Sequence, residues 1–117
     1  MEITLFLCLL FKHAIVDIAL QRHIKYPRKY IYSSRVAQLH YGQHGVATFL
    51  VCLLFVGPLT ALIAGALDWV AHWHIDHTKA RINQRFEWNS THNAFWYMVT
   101  IDQMLHFATY WSIIVLI

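Results

Sequence analysis

LVCLLFVGPLTALIAGALDWVAHWHI (residues 50–75) decides the architecture. From Leu50 to Val56 every position is apolar, Gly57-Pro58 then breaks the chain, and a second apolar run follows at once. So short a connection forces an antiparallel helical hairpin. A helix of a soluble bundle keeps a polar outer face, and neither arm of this hairpin has one, so both are predicted to lie against lipid.

Working outward, residues 3–20 and 94–117 are two further apolar runs, and the hairpin arms extend over 36–56 and 59–75. Each is long enough at about 1.5 Å per residue to cross most of a hydrocarbon core. The expectation is therefore all-α: one membrane domain over residues 1–117, a four-helix transmembrane bundle. The 58% hydrophobic and 13% charged composition agrees, since an ordinary soluble domain carries roughly 25% charged residues. It also excludes disorder, while four Gly and two Pro exclude collagen-like or linker sequence. A signal peptide is disfavoured at the N-terminus, which offers Glu2 but no early basic residue and carries Lys12 inside the apolar run. A hairpin pair buried in a larger complex is the alternative with comparable composition.

The net charge of +3 is gathered in blocks between apolar runs, a topology signal and not a nucleic-acid surface. Arg22, Lys25, Arg28, Lys29 and Arg35 occupy the first connection without an acid, and Lys79, Arg81 and Arg85 begin the third. Both connections are placed on the cytoplasmic side of the membrane, with both termini outside. The basic stretch 22–35 is suited to anionic lipid headgroups. Cys8 and Cys52 lie in apolar runs without metal-ligand spacing and read as free thiols.

Ionisable groups inside hydrocarbon cost about 2.5–3.5 kcal/mol each, so their placement needs a reason. Here they recur as pairs spaced i, i+4: His13 and Asp17, His40 and His44, His72 and Asp76, Asp102 and His106. Such spacing puts both members on one helix face. Counted from the basic side, most fall in one layer, with Asp76 at its mouth and Asp102 and His106 about a turn deeper. Histidine and carboxylate donors without thiolate suit zinc, iron or manganese, zinc first among them, and four helices each giving two such groups follow the logic of di-metal carboxylate bundles. A proton or ion path and structural polar bonding between helices remain as alternatives.

Around that set, Gln21 lies one turn beyond Asp17 and could orient a ligand; Asp68, four residues before His72, could be a further ligand or its partner. Lys79 either pairs with Asp76 on the helix surface or holds an anionic group such as phosphate. Gln103 adjoins Asp102 but points elsewhere on a helical wheel. His74 faces away from His72, and His23, His77 and His92 lie in or beside loops. Lys12 either snorkels or acts on the site electrostatically, and its mid-helix position has no local explanation.

The segments HAIVDIALQ (13–21), LHYGQH (39–44), HWHIDHTK (72–79) and DQMLH (102–106) resemble an uncharacterised family of small bacterial and phage membrane proteins. That family, a domain of unknown function, shows H-x3-D-x3-Q, H-x3-H, H-x3-D-x2-K and D-Q-x2-H segments in this order. The resemblance covers nearly the whole chain and implies functional positions at His13, Asp17, Gln21, His40, His44, His72, Asp76, Lys79, Asp102, Gln103 and His106. It places Gln103 with Gln21 among the supporting groups and omits Asp68. Its pattern is similar to that of inner-membrane metal-dependent hydrolases, an analogy that implies no assigned activity.

Three functions follow as expectations. The first is a metal-dependent hydrolase acting on a phosphate-bearing lipid, with Asp76 or Asp102 as base and Lys79 as anchor. The second is a transporter or proton conductor, ranked lower because only Thr48, Thr60 and Ser112 are polar in the outward half. The third is a membrane interaction protein with a structural metal. A protein partner or a homo-oligomer stays open, with Ala61 and Gly65 a modest small-residue surface on the third span.

Overall fold

A computed structural model describes residues 1–21 and 28–117 of the chain, and among these every regular element is helical. Helix α1 spans Glu2–His13 and continues over Ala14–Leu20 with π-type winding. Helix α2 is Arg35–Cys52, α3 is Pro58–Arg85 and α4 is Asn93–Leu116. Arg22, His23 and Lys25 lie outside the described residues, so the reading of stretch 22–35 as a basic surface rests there on sequence alone.

The ends of the elements follow local chemistry. The Ser34 hydroxyl accepts from the Ala37 amide at 3.3 Å and starts α2. Pro58 starts α3, where its fixed φ fits and its missing N–H costs nothing. Between them, residues 53–57 form the tight connection that Gly57-Pro58 predicts. Helix α3 departs from its expected bounds and runs ten residues past Ile75. Hydropathy marks where apolar surface ends, not where a helix ends, and residues 76–85 contain no Gly or Pro to stop it. It stops where Glu87 turns left-handed at φ 55°. Lys79, Arg81 and Arg85 are therefore helical residues and not loop residues.

Helix α1 packs on α2 and α4, and α3 packs on the same two, so the four form a square whose diagonal helices meet only through long side chains reaching into the centre. The closest crossing is between α2 and α3. A Cβ on Gly65 would lie 2.7 Å from the Gly45 carbonyl oxygen, and one on Gly45 would lie 2.9 Å from that of Gly65. Gly65 thus serves an internal contact and not an outward dimer surface.

The interior has two halves. Leu5, Leu9, Cys52, Ala61, Ala64, Tyr110, Ile113 and Ile114 fill the end nearest the 53–57 connection. The other half is polar: Lys12, His13, His40, His44, Asp68, His72, Asp76, Asp102 and His106 are all at most 6% exposed. The outer surface carries Leu39, Val46, Leu50, Leu62, Val70, Ile101, Met104, Trp111 and Val115, all exposed. Large apolar side chains line the outside of the middle of the helices, while Lys12, Asp68, Asp76 and Asp102 are turned inward. Taken singly, one helix, Glu2–Leu20, is long and apolar enough to cross a membrane.

Candidate metal centre

Four elements bring the paired residues to one layer. From α1, Asp17 Oδ1 lies 3.2 Å from His40 Nε2, 3.5 Å from His44 Nε2 and 3.5 Å from His72 Nε2. Four ligands at about 2.0–2.1 Å from a tetrahedral cation stand about 3.3–3.4 Å from one another, so these separations match the edge of a zinc-type site. A second group shares His72: Asp76 Oδ1 lies 3.5 Å from His72 Nε2 and 3.0 Å from His106 Nε2. Asp102 Oδ2 is 3.5 Å from that same His106 nitrogen. Within each of the groups Asp17/His40/His44/His72 and His72/Asp76/His106, one donor atom per residue lies within 4.8 Å of the others.

A single imidazole nitrogen has one in-plane lone pair, so His72 Nε2 can serve one group and not both. Assigned to the first, it completes a closed set of three histidines and a carboxylate. The second then consists of Asp76, His106 and Asp102, an incomplete set of the kind that leaves positions for water or substrate. Both nitrogens of His72 lack a hydrogen-bond partner among the described residues, although the side chain is fully buried. Burying such groups unpaired is costly, and a cation is the partner their surroundings suit. The His72 ring is stacked between His44 at 3.6 Å and His106 at 3.8 Å, which brings the two groups into contact.

His13 stands outside both groups. Its Nδ1 is 2.7 Å from the Tyr110 hydroxyl and its Nε2 2.9 Å from Gln103 Oε1, so both nitrogens already have partners. Gln103 in turn donates to Asp17 Oδ2 at 3.0 Å and Asp102 Oδ2 at 3.2 Å. It does not point elsewhere, as the helical wheel suggests; it ties α1 to α4 across the site. Gln21 donates to Asp17 Oδ1 at 3.0 Å and lies 2.9 Å from His40 Nε2, the orienting role its spacing suggests. Asp76 is not at a solvated mouth but 1% exposed, and Asp102 and His106 are not a turn deeper, since His106 and Asp76 meet.

Three lysines complete the surroundings. Lys79 reaches Asp102 Oδ2 at 3.1 Å and not Asp76. Lys29, from the connection before α2, turns inward onto Asp76 Oδ2 at 2.9 Å; as one lysine of a basic loop it carried no sequence signal for that role. Lys12 pairs with Asp68 Oδ2 at 2.5 Å, and Thr48 donates to the same oxygen at 2.6 Å. Asp68 therefore neutralises Lys12 through Oδ2. The Lys12 ammonium also lies 3.3 Å from His44 Nδ1. An ammonium only donates, so this contact places the His44 ring proton on Nε2, facing Asp17. A cation bound at His44 Nε2 requires that proton on Nδ1, with Lys12 turned onto Asp68 and the His44 carbonyl, also at 3.3 Å.

Of the remaining histidines, His74 is exposed and contacts the Tyr32 hydroxyl at 3.0 Å, while His77 Nδ1 meets the Lys29 carbonyl at 2.9 Å. Cys8 and Cys52 are free thiols. In comparisons with known proteins, the family described as "Protein of unknown function (DUF3307)" matches residues 5–117. No curated protein and no solved structure matches the chain.

Proposed function

The chain belongs to that family, whose description assigns no activity, and from its own residues we propose a membrane-embedded, metal-dependent hydrolase of phosphate-bearing lipids. The membrane part is supported by the inverted distribution of side chains, with Lys12, Asp68, Asp76 and Asp102 inside and Leu, Ile, Val and Trp outside. His40, His44, Asp68, His72 and Asp102, which lower the mean hydropathy of α2, α3 and α4, all face the interior and not the outer surface. In this reading α1 to α4 form a four-span bundle, with the 53–57 connection outside and the Lys29 and Arg85 ends on the basic inner side.

The observation that carries the metal reading is the convergence of Asp17, His40, His44 and His72 at ligand spacing, with His44 Nε2 and both buried nitrogens of His72 lacking a hydrogen-bond partner among the described residues. This set would hold one divalent cation, zinc before iron or manganese by its donors. Asp76, Asp102 and His106 would hold a second. A divalent cation at an incomplete site acidifies water and polarises a phosphoryl oxygen. The chain's own residues divide the remaining work. Asp76 has both oxygens engaged, Oδ1 by His106 and Oδ2 by Lys29. Asp102 Oδ1 has no hydrogen-bond partner among the described residues and is the oxygen that can take a proton from water. Lys79, beside it, is the anchor for phosphate. Conduction is less well supported: the interior beyond Lys12 and Asp68 is the apolar cluster of Leu5, Leu9, Cys52 and Ile113, which offers no continuing path.

Metal content of detergent-purified protein tests this reading. Wild type should carry one or two equivalents, His72→Ala should lose the closed site, and His106→Ala should lose at most the second ion. Folded wild type prepared without chelator and free of metal would falsify the proposal.

A further inference from the structure

On the outer face of the α3–α4 pair, beside the incomplete metal set, lies a groove with a cavity volume of about 320 Å³. Its walls are apolar, built by Ile75 and Ile82 of α3 and Met98 and Ile101 of α4. Its polar lining is His74, Thr78, Lys79 and Asp102, of which Asp102 is buried. Pockets that bury small ligands span about 300–1,000 Å³, so this groove is of a size for one slender chain and not for a bulky polar substrate. Ile101 and Leu105 on its rim are half exposed on the surface read above as lipid-facing, so it opens sideways and not toward the end of the bundle.

The polar base has a definite charge pattern. Lys79 Nζ is 3.1 Å from Asp102 Oδ2, Lys29 Nζ is 2.9 Å from Asp76 Oδ2, and both carboxylates approach the one nitrogen, His106 Nε2, at 3.5 and 3.0 Å. Two ammonium groups thus bracket one imidazole edge from opposite carboxylates. If those carboxylates turn to a divalent cation, the two lysines keep their charge and lose their partners, and the group that satisfies both is an oxyanion with several acceptors.

We infer that the α3–α4 groove admits an apolar chain of a phosphate-headed bilayer lipid laterally, so that its phosphate rests between Lys29 and Lys79 beside Asp76, Asp102 and His106. This rests on the metal-hydrolase reading for the chemistry and the phosphate-bearing lipid, and it adds the direction of entry and Lys29 as a second phosphate anchor. Lys29 is a binding residue that the sequence pattern does not mark. The occupant follows from complementarity: an apolar channel open to the lipid-facing side ends at a paired cation.

Protein in phosphatidylcholine nanodiscs, doped with phosphatidate bearing a diazirine on one acyl chain, gives the test. After illumination, crosslinks should concentrate in 75–82 and 98–105, severalfold above those on α1 and α2. Ile101→Trp fills the groove and should abolish most of this labelling; Met104→Trp, on the exposed surface outside the groove, should leave it. Lys79→Met and Lys29→Met should each lower phosphatidate labelling about tenfold, the scale of a charged hydrogen bond, and leave labelling by the matching diacylglycerol unchanged. Crosslinks spread evenly over all helices, or unaffected by Ile101→Trp, would overturn the inference. Labelling abolished by an equal concentration of inorganic phosphate would make free phosphate the ligand and overturn the lipid assignment. Metal content measured on the same samples separates the two readings: even labelling on metal-loaded protein refutes only the groove, and groove labelling on metal-free protein refutes only the metal centre.

Discussion

The pair Lys12–Asp68 offers the sharpest perturbation, because it is buried and adjacent to the histidine–aspartate layer. Lys12 is 6% and Asp68 1% exposed, and the ammonium lies 2.5 Å from Asp68 Oδ2. Replacing Lys12 by Met removes the charge and keeps the volume, leaving the Asp68 carboxylate with Thr48, at 2.6 Å, as its only hydrogen-bond donor among the described residues. Breaking a buried pair in this way costs about 3–5 kcal/mol, whereas replacing both partners by apolar side chains is close to neutral. Lys12→Met and Asp68→Leu are each expected to destabilise by that amount, about two to three and a half powers of ten in the unfolding constant, and the double variant to return to within about 1 kcal/mol of wild type. Thr48 is not orphaned in the double variant, since its hydroxyl can return to a carbonyl of its own helix. The assay is reversible SDS unfolding in mixed micelles followed by tryptophan fluorescence. There is a second readout: without Lys12 the His44 ring can carry its proton on Nδ1, so the double variant should still take up metal. Additive losses, with the double variant as unstable as the two singles combined, would refute the argument that these residues form one neutral unit.

Two further outcomes follow from the packing and the surface. Gly65→Ala places a methyl 2.7 Å from the Gly45 carbonyl and 3.0 Å from Phe49 Cβ, backbone and Cβ positions that cannot rotate away. Overpacking of about 1–3 kcal/mol is offset by about 1 kcal/mol of helix propensity, so a net loss of up to about 2 kcal/mol is expected in the same unfolding assay. No loss would show that α2 and α3 cross less closely. For topology, in a background without Cys8 and Cys52, single cysteines at Gly57 and at Arg85 should react with a membrane-impermeant maleimide from opposite sides of sealed vesicles. Labelling of both from one side would refute the four-span arrangement.

The elements and their partners were legible to different degrees, and the difference has physical causes. The hairpin was legible because Gly57-Pro58 leaves only a handful of residues to reverse the chain, so α2 and α3 had to be antiparallel neighbours. The i, i+4 pairs were legible because helical periodicity fixes a shared face before any tertiary contact forms. What periodicity cannot give is which group on that face wins a shared partner. His13 has the same spacing to Asp17 as His72 has to Asp76, yet Tyr110 and Gln103 take both its nitrogens. Gln103 sits one residue from Asp102, and a helical wheel turns it away by roughly 100°; a long amide on a square bundle still reaches the neighbouring helix. Helix α3 outlasts its apolar run because hydrogen bonding along the backbone is indifferent to hydropathy.

Lys12 shows how such a residue becomes readable. Nothing near it in sequence neutralises it, and its partner Asp68 lies 56 positions away on the diagonal helix. Yet an ammonium in the middle of an apolar run is costly enough to require a buried acid at the same depth. Asp68 is the one acid inside the expected apolar runs that stands outside the i, i+4 pairs, and Lys12 is the one lysine within such a run. Two unexplained opposite charges in one interior are each other's explanation. The same reasoning applies at the basic end, where Lys29 and Lys79 meet Asp76 and Asp102, the two acids of the incomplete metal set. There, however, the acids have a competing use as ligands. That is why the first pair is expected to act as a fixed structural unit and the other two as a site whose lysines are released to a phosphate when a cation takes their carboxylates.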